Sequence, residues 1–141
     1  LEERYPEVPL YPTTVPDRAR CRLLEHHADD VFFPQVWALI EEVFYTPDAT
    51  QQDRARVAEA TTAIQQTFAR LDAQLAEQTY LVGEQYSVAD IATFIVASYA
   101  ANLGVFPDPA YTRVQQWFQH IAARPAVAAE IAQMSEAAQA L

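Results

Sequence analysis

Three groups of residues have types and spacings that could do chemistry. In EQYSVADIATF, residues 84–94, the hydroxyl of Ser87 stands three positions before the carboxylate of Asp90, and Tyr86 and Ile91 flank the pair. A serine and an aspartate are two members of a nucleophilic set, which also needs a base to take the hydroxyl proton. Cys21, the only cysteine, lies between Arg20 and Arg22, and cations facing a thiol favour its thiolate. In His26-His27-Ala28-Asp29-Asp30, His26 has i,i+3 and i,i+4 carboxylates at Asp29 and Asp30, a spacing that suits two metal ligands.

Each group also has a plainer physical reading, and the plainer one is favoured. No histidine lies near Ser87 and Asp90 in sequence. Ser87 at an N-cap accepts from the backbone N–H of Asp90, while Asp90 at N3 accepts from the N–H of Ser87, which is a capping box with Asp in place of Glu or Gln. Tyr86 and Ile91 then occupy the N′ and N4 positions of a hydrophobic staple. Successive residues on a helix diverge, so Arg20 and Arg22 do not both face Cys21, which reads as a half-buried packing residue. Two ligands on an acidic helix make a weak metal site, and a solvated face is the expectation. His120 has no partner visible in the sequence. No catalytic residue and no metal site is expected in this chain.

The elements that position these groups follow from the pattern. Residues 1–16 hold Pro6, Pro9, Pro12 and Pro16, each of which removes a donor and drives its predecessor away from helix. They read as a linker, with LEERY as the end of a preceding helix. From Asp17 to Tyr45 the pattern is helical through Leu24, Val31, Val36, Ile40 and Phe44, with Pro34 kinking or splitting it. Over about 50–77, Val57, Ala60, Ile64, Phe68, Leu71 and Leu75 form one stripe. A loop with Gly83 leads to the helix of about 87–102, which is apolar on every side and must be surrounded by others. Gly104 suits a left-handed C-cap. Helices of about 111–123 (Val114, Trp117, Phe118, Ile121) and from Pro125 (Val127, Ile131, Met134, Ala138) complete the chain. No alternating strand pattern is present. The prediction is an all-α bundle of five to six helices around a buried central helix, with residues 17–141 as one domain.

Composition excludes several functions. Apolar residues are 51% and charged residues 20% of 141, enough to fold as a single core. Two glycines, Gly83 and Gly104, build no phosphate-cradling loop. A net charge of -10 disfavours nucleic acid and an anionic membrane surface as partners. The apolar run Val88–Leu103 carries Asp90 and Asn102 and is too short and polar to span a bilayer. One cysteine and no visible signal peptide fit a cytoplasmic location.

YLVGEQYSVADIATFIVAS resembles the capping-box segment of the C-terminal helical domain of cytosolic glutathione transferases, through Leu81, Gly83, Ser87, Ala89, Asp90 and Ile91. LEERYPEVPLYP resembles that family's interdomain linker, DRARCRLLEHHADD its first C-domain helix, and VQQWFQHIAARPAV its late Trp-containing helix. The resemblance implies that an N-terminal thioredoxin-like domain is missing. That domain would bind glutathione as co-substrate and supply the activating Tyr, Ser or Cys, so the chain alone is expected to be inactive and to hold no cofactor. It further implies a homodimer, a small apolar electrophile as substrate, and a border of the electrophile pocket on the face shared by Cys21, Leu24, Ala28 and Val31, although these four residues read first as packing of the bundle or the domain interface. Trp37, Phe44 and Tyr45 are candidates for a dimer contact, although Trp37 and Trp117 read first as core. The alternative is a non-enzymatic interaction module of the same fold, such as a relative of the RNA polymerase-associated stringent starvation protein A.

Overall fold

A computed structural model describes residues 2, 4–46, 48 and 50–139 of the chain. Its described residues form six α-helices and no strand: α1 (Val15–His27), α2 (Phe33–Phe44), α3 (Arg54–Gln74), α4 (Val88–Asn102), α5 (Thr112–Ala122) and α6 (Pro125–Gln139). Leu1 and Glu3 of the expected helix end, and Pro47 of the turn after α2, fall outside the described residues, as does the side chain of Ala138.

α1 begins two residues before Asp17. The Thr14 hydroxyl caps it by accepting from the Asp17 N–H at 3.2 Å, and Pro16 sits in the first turn, where its missing donor costs nothing. The preceding segment is strapped to the bundle. Arg18 donates to the carbonyls of Pro12 (3.2 Å) and Thr13 (3.3 Å), Pro12 is buried, and the carbonyl of Leu10 takes the N–H of Val88 at 3.0 Å.

Pro34 splits the long helical pattern, and the split takes a specific form. Ala28–Phe32 make a π-helical turn in which the N–H of Phe33 donates to the carbonyl of Ala28. The wider turn leads into α2 with Pro34 in its first turn, where no donor is needed. The buried stripe therefore advances in steps of four, through Ala28, Phe32 and Val36, and then to Leu39. Val31 and Trp37 are turned outward, 38% and 40% exposed, which corrects the expectation that Trp37 is core. Trp37 packs instead between Phe33 (6.0 Å) and Tyr45 (6.3 Å) on the surface, and Phe44 is exposed beside it.

α3 carries the predicted stripe inward: Ala60, Ile64, Phe68, Leu71 and, in the following 3₁₀ turn, Leu75 are buried, with Val57 half-buried. Its N-cap is Asp53, which accepts from Ala55 and Arg56 at 3.0 and 3.1 Å. Glu42 of α2 locks this corner, taking the N–H of Asp53 at 2.9 Å and the guanidinium of Arg56 at 3.0 Å. Glu41 pairs with the same guanidinium.

α4 is the central helix and packs against α1, the π-turn, α2 and α5. Ala89, Thr93, Phe94, Val96, Ala97 and Ala100 are buried on it. One stripe stays open, however, with Ile95 50% and Tyr99 44% exposed, so neighbours do not enclose this apolar helix on every side. Its end is a Schellman motif: Val105 N–H to Ala100 O and Gly104 N–H to Ala101 O, both 2.9 Å, with Gly104 at φ +83°. A Cβ on Gly104 would meet no atom within 4 Å. Gly104→Ala is therefore expected to cost only the left-handed backbone penalty, about 1–2 kcal/mol, read as a lowered urea midpoint with an unchanged slope.

α5 buries Val114, Trp117 and Ile121, and its first free N–H groups are capped from another helix. Asp72 of α3 accepts from Arg113 (2.8 Å) and Val114 (3.0 Å). Among the described residues no helix is long and apolar enough to cross a membrane.

Candidate functional site

Asp90 is fully buried and its carboxylate is a four-way junction. One oxygen accepts from the N–H and the hydroxyl of Ser87, both at 3.0 Å. The other accepts from the N–H of Leu81 and the indole N–H of Trp117, both at 2.9 Å. Ser87 and Asp90 thus form a capping box at the start of α4, with the serine hydroxyl donating to the carboxylate and the Asp90 N–H lying 3.1 Å from the Ser87 carbonyl. Every lone pair of the carboxylate faces a donor from the loop, the cap or α5, and both Ser87 and Asp90 are shut off from solvent, so the pair is set up to hold structure. Tyr86 and Ile91 line one groove at this helix start. The Arg124 guanidinium lies 3.7 Å from the Tyr86 ring centroid. Burial raises the Tyr86 phenol pKa, partly opposed by Arg124.

The four candidate residues of α1 and the π-turn separate. Cys21 and Ala28 are sealed in the core, Leu24 is half-buried, and Val31 is exposed beyond the start of the π-turn. Of the four, Leu24 lines a groove of about 520 Å³, shared between the apolar Leu23, Ala73 and Ala76 and the polar Arg20, Gln74, Glu77 and Gln78. With Cys21 shielded from solvent, its thiol is not presented to a substrate by this chain.

Beside this face, Tyr11 donates its hydroxyl to Glu25 at 2.6 Å, and Arg22 lies 5.6 Å from its ring centroid. The bond to Glu25, and then burial, push the Tyr11 pKa up to about 12 from 10.0. The neutral phenol is the form the fold favours. Any stability from this pair is present below about pH 10 and is lost as pH rises through 12. A difference ultraviolet titration against Tyr11→Phe is expected to show one tyrosine ionising near 12, and Glu25→Gln should return it toward 10.

The histidines are placed for pairing. His26 Nδ1 meets Asp30 at 2.5 Å on an exposed helix face. Desolvation, then Arg70 and His26, lower the His27 pKa. His120, with no partner visible in the sequence, bonds Tyr80 Oη at 3.0 Å, and the two rings lie 5.4 Å apart, tilted by 58°. Among the described residues, no three His, Cys, Asp or Glu side chains are grouped to hold a metal ion.

A buried Asp90 junction at the head of the central helix of an all-α bundle is the arrangement the capping-box resemblance implies, and residues 26–125 match the family described as glutathione S-transferase, C-terminal domain. The chain belongs to the glutathione S-transferase C-terminal domain family. Glutathione S-transferase 4 of Zea mays is 31% identical over 109 residues, which are 73% of this chain and 47% of that protein. The chain thus spans about half the length of this curated relative. The apo theta class glutathione S-transferase of Xanthomonas axonopodis pv. citri is 31% identical with TM-score 0.68, over 84% of this chain and 62% of that one. A glutathione S-transferase of Rhodospirillum rubrum F11 shares the fold at TM-score 0.82 and 22% identity, over 90% of this chain and 58% of that one. The matched region of this glutathione S-transferase domain contains the capping box, the Asp72 cap and Trp117. Leu24, Cys21 and the Tyr11–Glu25 pair stand at or before its edge.

Proposed function

We propose that this glutathione S-transferase C-terminal domain forms the electrophile-binding wall of an enzyme that adds the sulfur of glutathione to a small apolar electrophile. On this reading residues 1–16 lead from a thioredoxin-like domain that binds glutathione as co-substrate, and residues 17–141 are the helical domain. The intact protein works as a homodimer in the cytoplasm. The observation that supports it is the match of residues 26–125 to this family, together with the groove at Leu24 on the helix that follows the linker. Leu24 would contact the electrophile, while Cys21 and Ala28 pack in the core and hold the wall in place. The chain's own contribution is apolar contact and exclusion of water. The thiolate is activated elsewhere, by hydrogen bonding that lowers the thiol pKa.

The test is steady-state kinetics of the full-length protein with an aryl halide. Leu24→Ala is expected to raise KM for the aryl halide several-fold, in line with about 1–2 kcal/mol of lost apolar contact, and to leave KM for glutathione unchanged. Equal effects on both would remove Leu24 from the wall. A full-length protein that conjugates no electrophile and is not retained on immobilised glutathione would overturn the enzyme reading in favour of an interaction module.

A further inference from the structure

The open stripe of α4 faces a second groove, of about 530 Å³, whose other wall is α6. None of Cys21, Leu24, Ala28 and Val31 lines it. Its walls include Phe94, Ile95 and Tyr99 from α4, and Ile131 and Met134 from α6, with Glu130 the only charged residue among those lining it. The α4 wall runs from Ile91 to Asn102, about 16 Å at 1.5 Å per residue. Phe94 rests on Phe118 (4.8 Å) and Trp117 (6.3 Å), so the floor is braced by the core. The Ser98 hydroxyl is engaged with the Phe94 carbonyl at 2.8 Å and offers little to a ligand.

Charge decides which apolar ligand suits this groove. The Glu130 side chain makes no hydrogen bond or ion pair among the described residues, and no lining residue is cationic. Arg124 is stacked on Tyr86, a lining residue at one end, which directs a second cation away from that end. The chain carries a net charge of -10, so its field also repels anions. Aromatic side chains and one carboxylate lining the same groove are surroundings that favour a weakly hydrated organic cation over a neutral or anionic ligand. We propose that the α4–α6 groove binds a lipophilic organic cation, with its apolar body along Phe94, Ile95 and Met134 and its ammonium end near Tyr99 and Glu130.

The experiment follows the Met134 methyl signal by NMR while the 141-residue chain is titrated with phenylpropyl-trimethylammonium, with the neutral 3-phenylpropanol and with 3-phenylpropanesulfonate. The cation is expected to bind in the order cation, alcohol, sulfonate and to shift Met134. Glu130→Gln should cut the preference for cation over alcohol by about fivefold, and Tyr99→Ala should weaken the cation by a similar factor. Both substitutions are at exposed positions, so a folded variant is expected, checked by an unchanged circular dichroism spectrum. Three results would overturn the proposal: no shift at Met134, equal binding of cation and sulfonate, or an undiminished cation preference in Glu130→Gln.

Discussion

Asp90→Ala is expected to destabilise the domain by roughly 4 kcal/mol or more, because it leaves four donors unpaired in the interior at about 1 kcal/mol or more each. The donors are Ser87 N–H, Ser87 Oγ–H, Leu81 N–H and Trp117 Nε1–H, and both Asp90 and Ser87 are shut off from water. An exposed cap loses less when it is removed, since water replaces the side chain. At about 3 °C per kcal/mol for a domain of this size, the melting midpoint should fall by roughly 12 °C. Asp90→Asn should cost about half as much, because its one acceptor oxygen can serve only one pair of donors and its amide nitrogen meets the other pair. A thermal melt of the two variants beside the exposed control Glu59→Ala makes the comparison. If Asp90→Ala melts within a degree or two of the control, the junction does not carry the stability assigned to it.

Phe68→Ala is expected to cost about 3–5 kcal/mol, the range for deleting a fully buried aromatic ring and leaving its cavity. Phe68 is completely buried on α3, and its ring meets Phe32 edge-on at 5.7 Å and 82°. Phe32 closes the π-turn, so the same deletion removes the support beneath the step between α1 and α2. Phe68→Leu keeps most of the volume and should cost about 1.5 kcal/mol or less. Urea unfolding measures both, and amide exchange at Phe33 should quicken in the alanine variant more than in the leucine one. A loss below 1 kcal/mol for Phe68→Ala would mean that the core collapses around the gap and that Phe68 is no keystone.

The α3 stripe was readable because Ala60, Ile64, Phe68, Leu71 and Leu75 repeat at helical steps, and each is buried. The start and stop of α4 were readable too. A cap is made by residues three apart, and a Schellman end needs a glycine at one position, which Gly104 fills. The π-turn was not readable in detail. Pro34 announces a break, but whether the chain kinks, loops or widens by one residue depends on how α1 and α2 both pack on α4. That choice turned Trp37 outward and separated Val31 from Cys21 and Ala28.

Local sequence by itself determined the helical class, the order of the helices, the cap of the central one and the family, because these rest on periodicity and on groups within four residues of each other. Tertiary structure alone decided the partners. Trp117 reaches Asp90 across 27 positions, Asp72 caps α5 across more than forty, and His120 finds Tyr80 across 40. It also decided that α4, apolar on every side, keeps Ile95 and Tyr99 open to a groove. The physical reason is that a pattern of apolar residues states which surfaces must leave water, whereas which neighbour covers each one is settled only when all the helices compete for the same core.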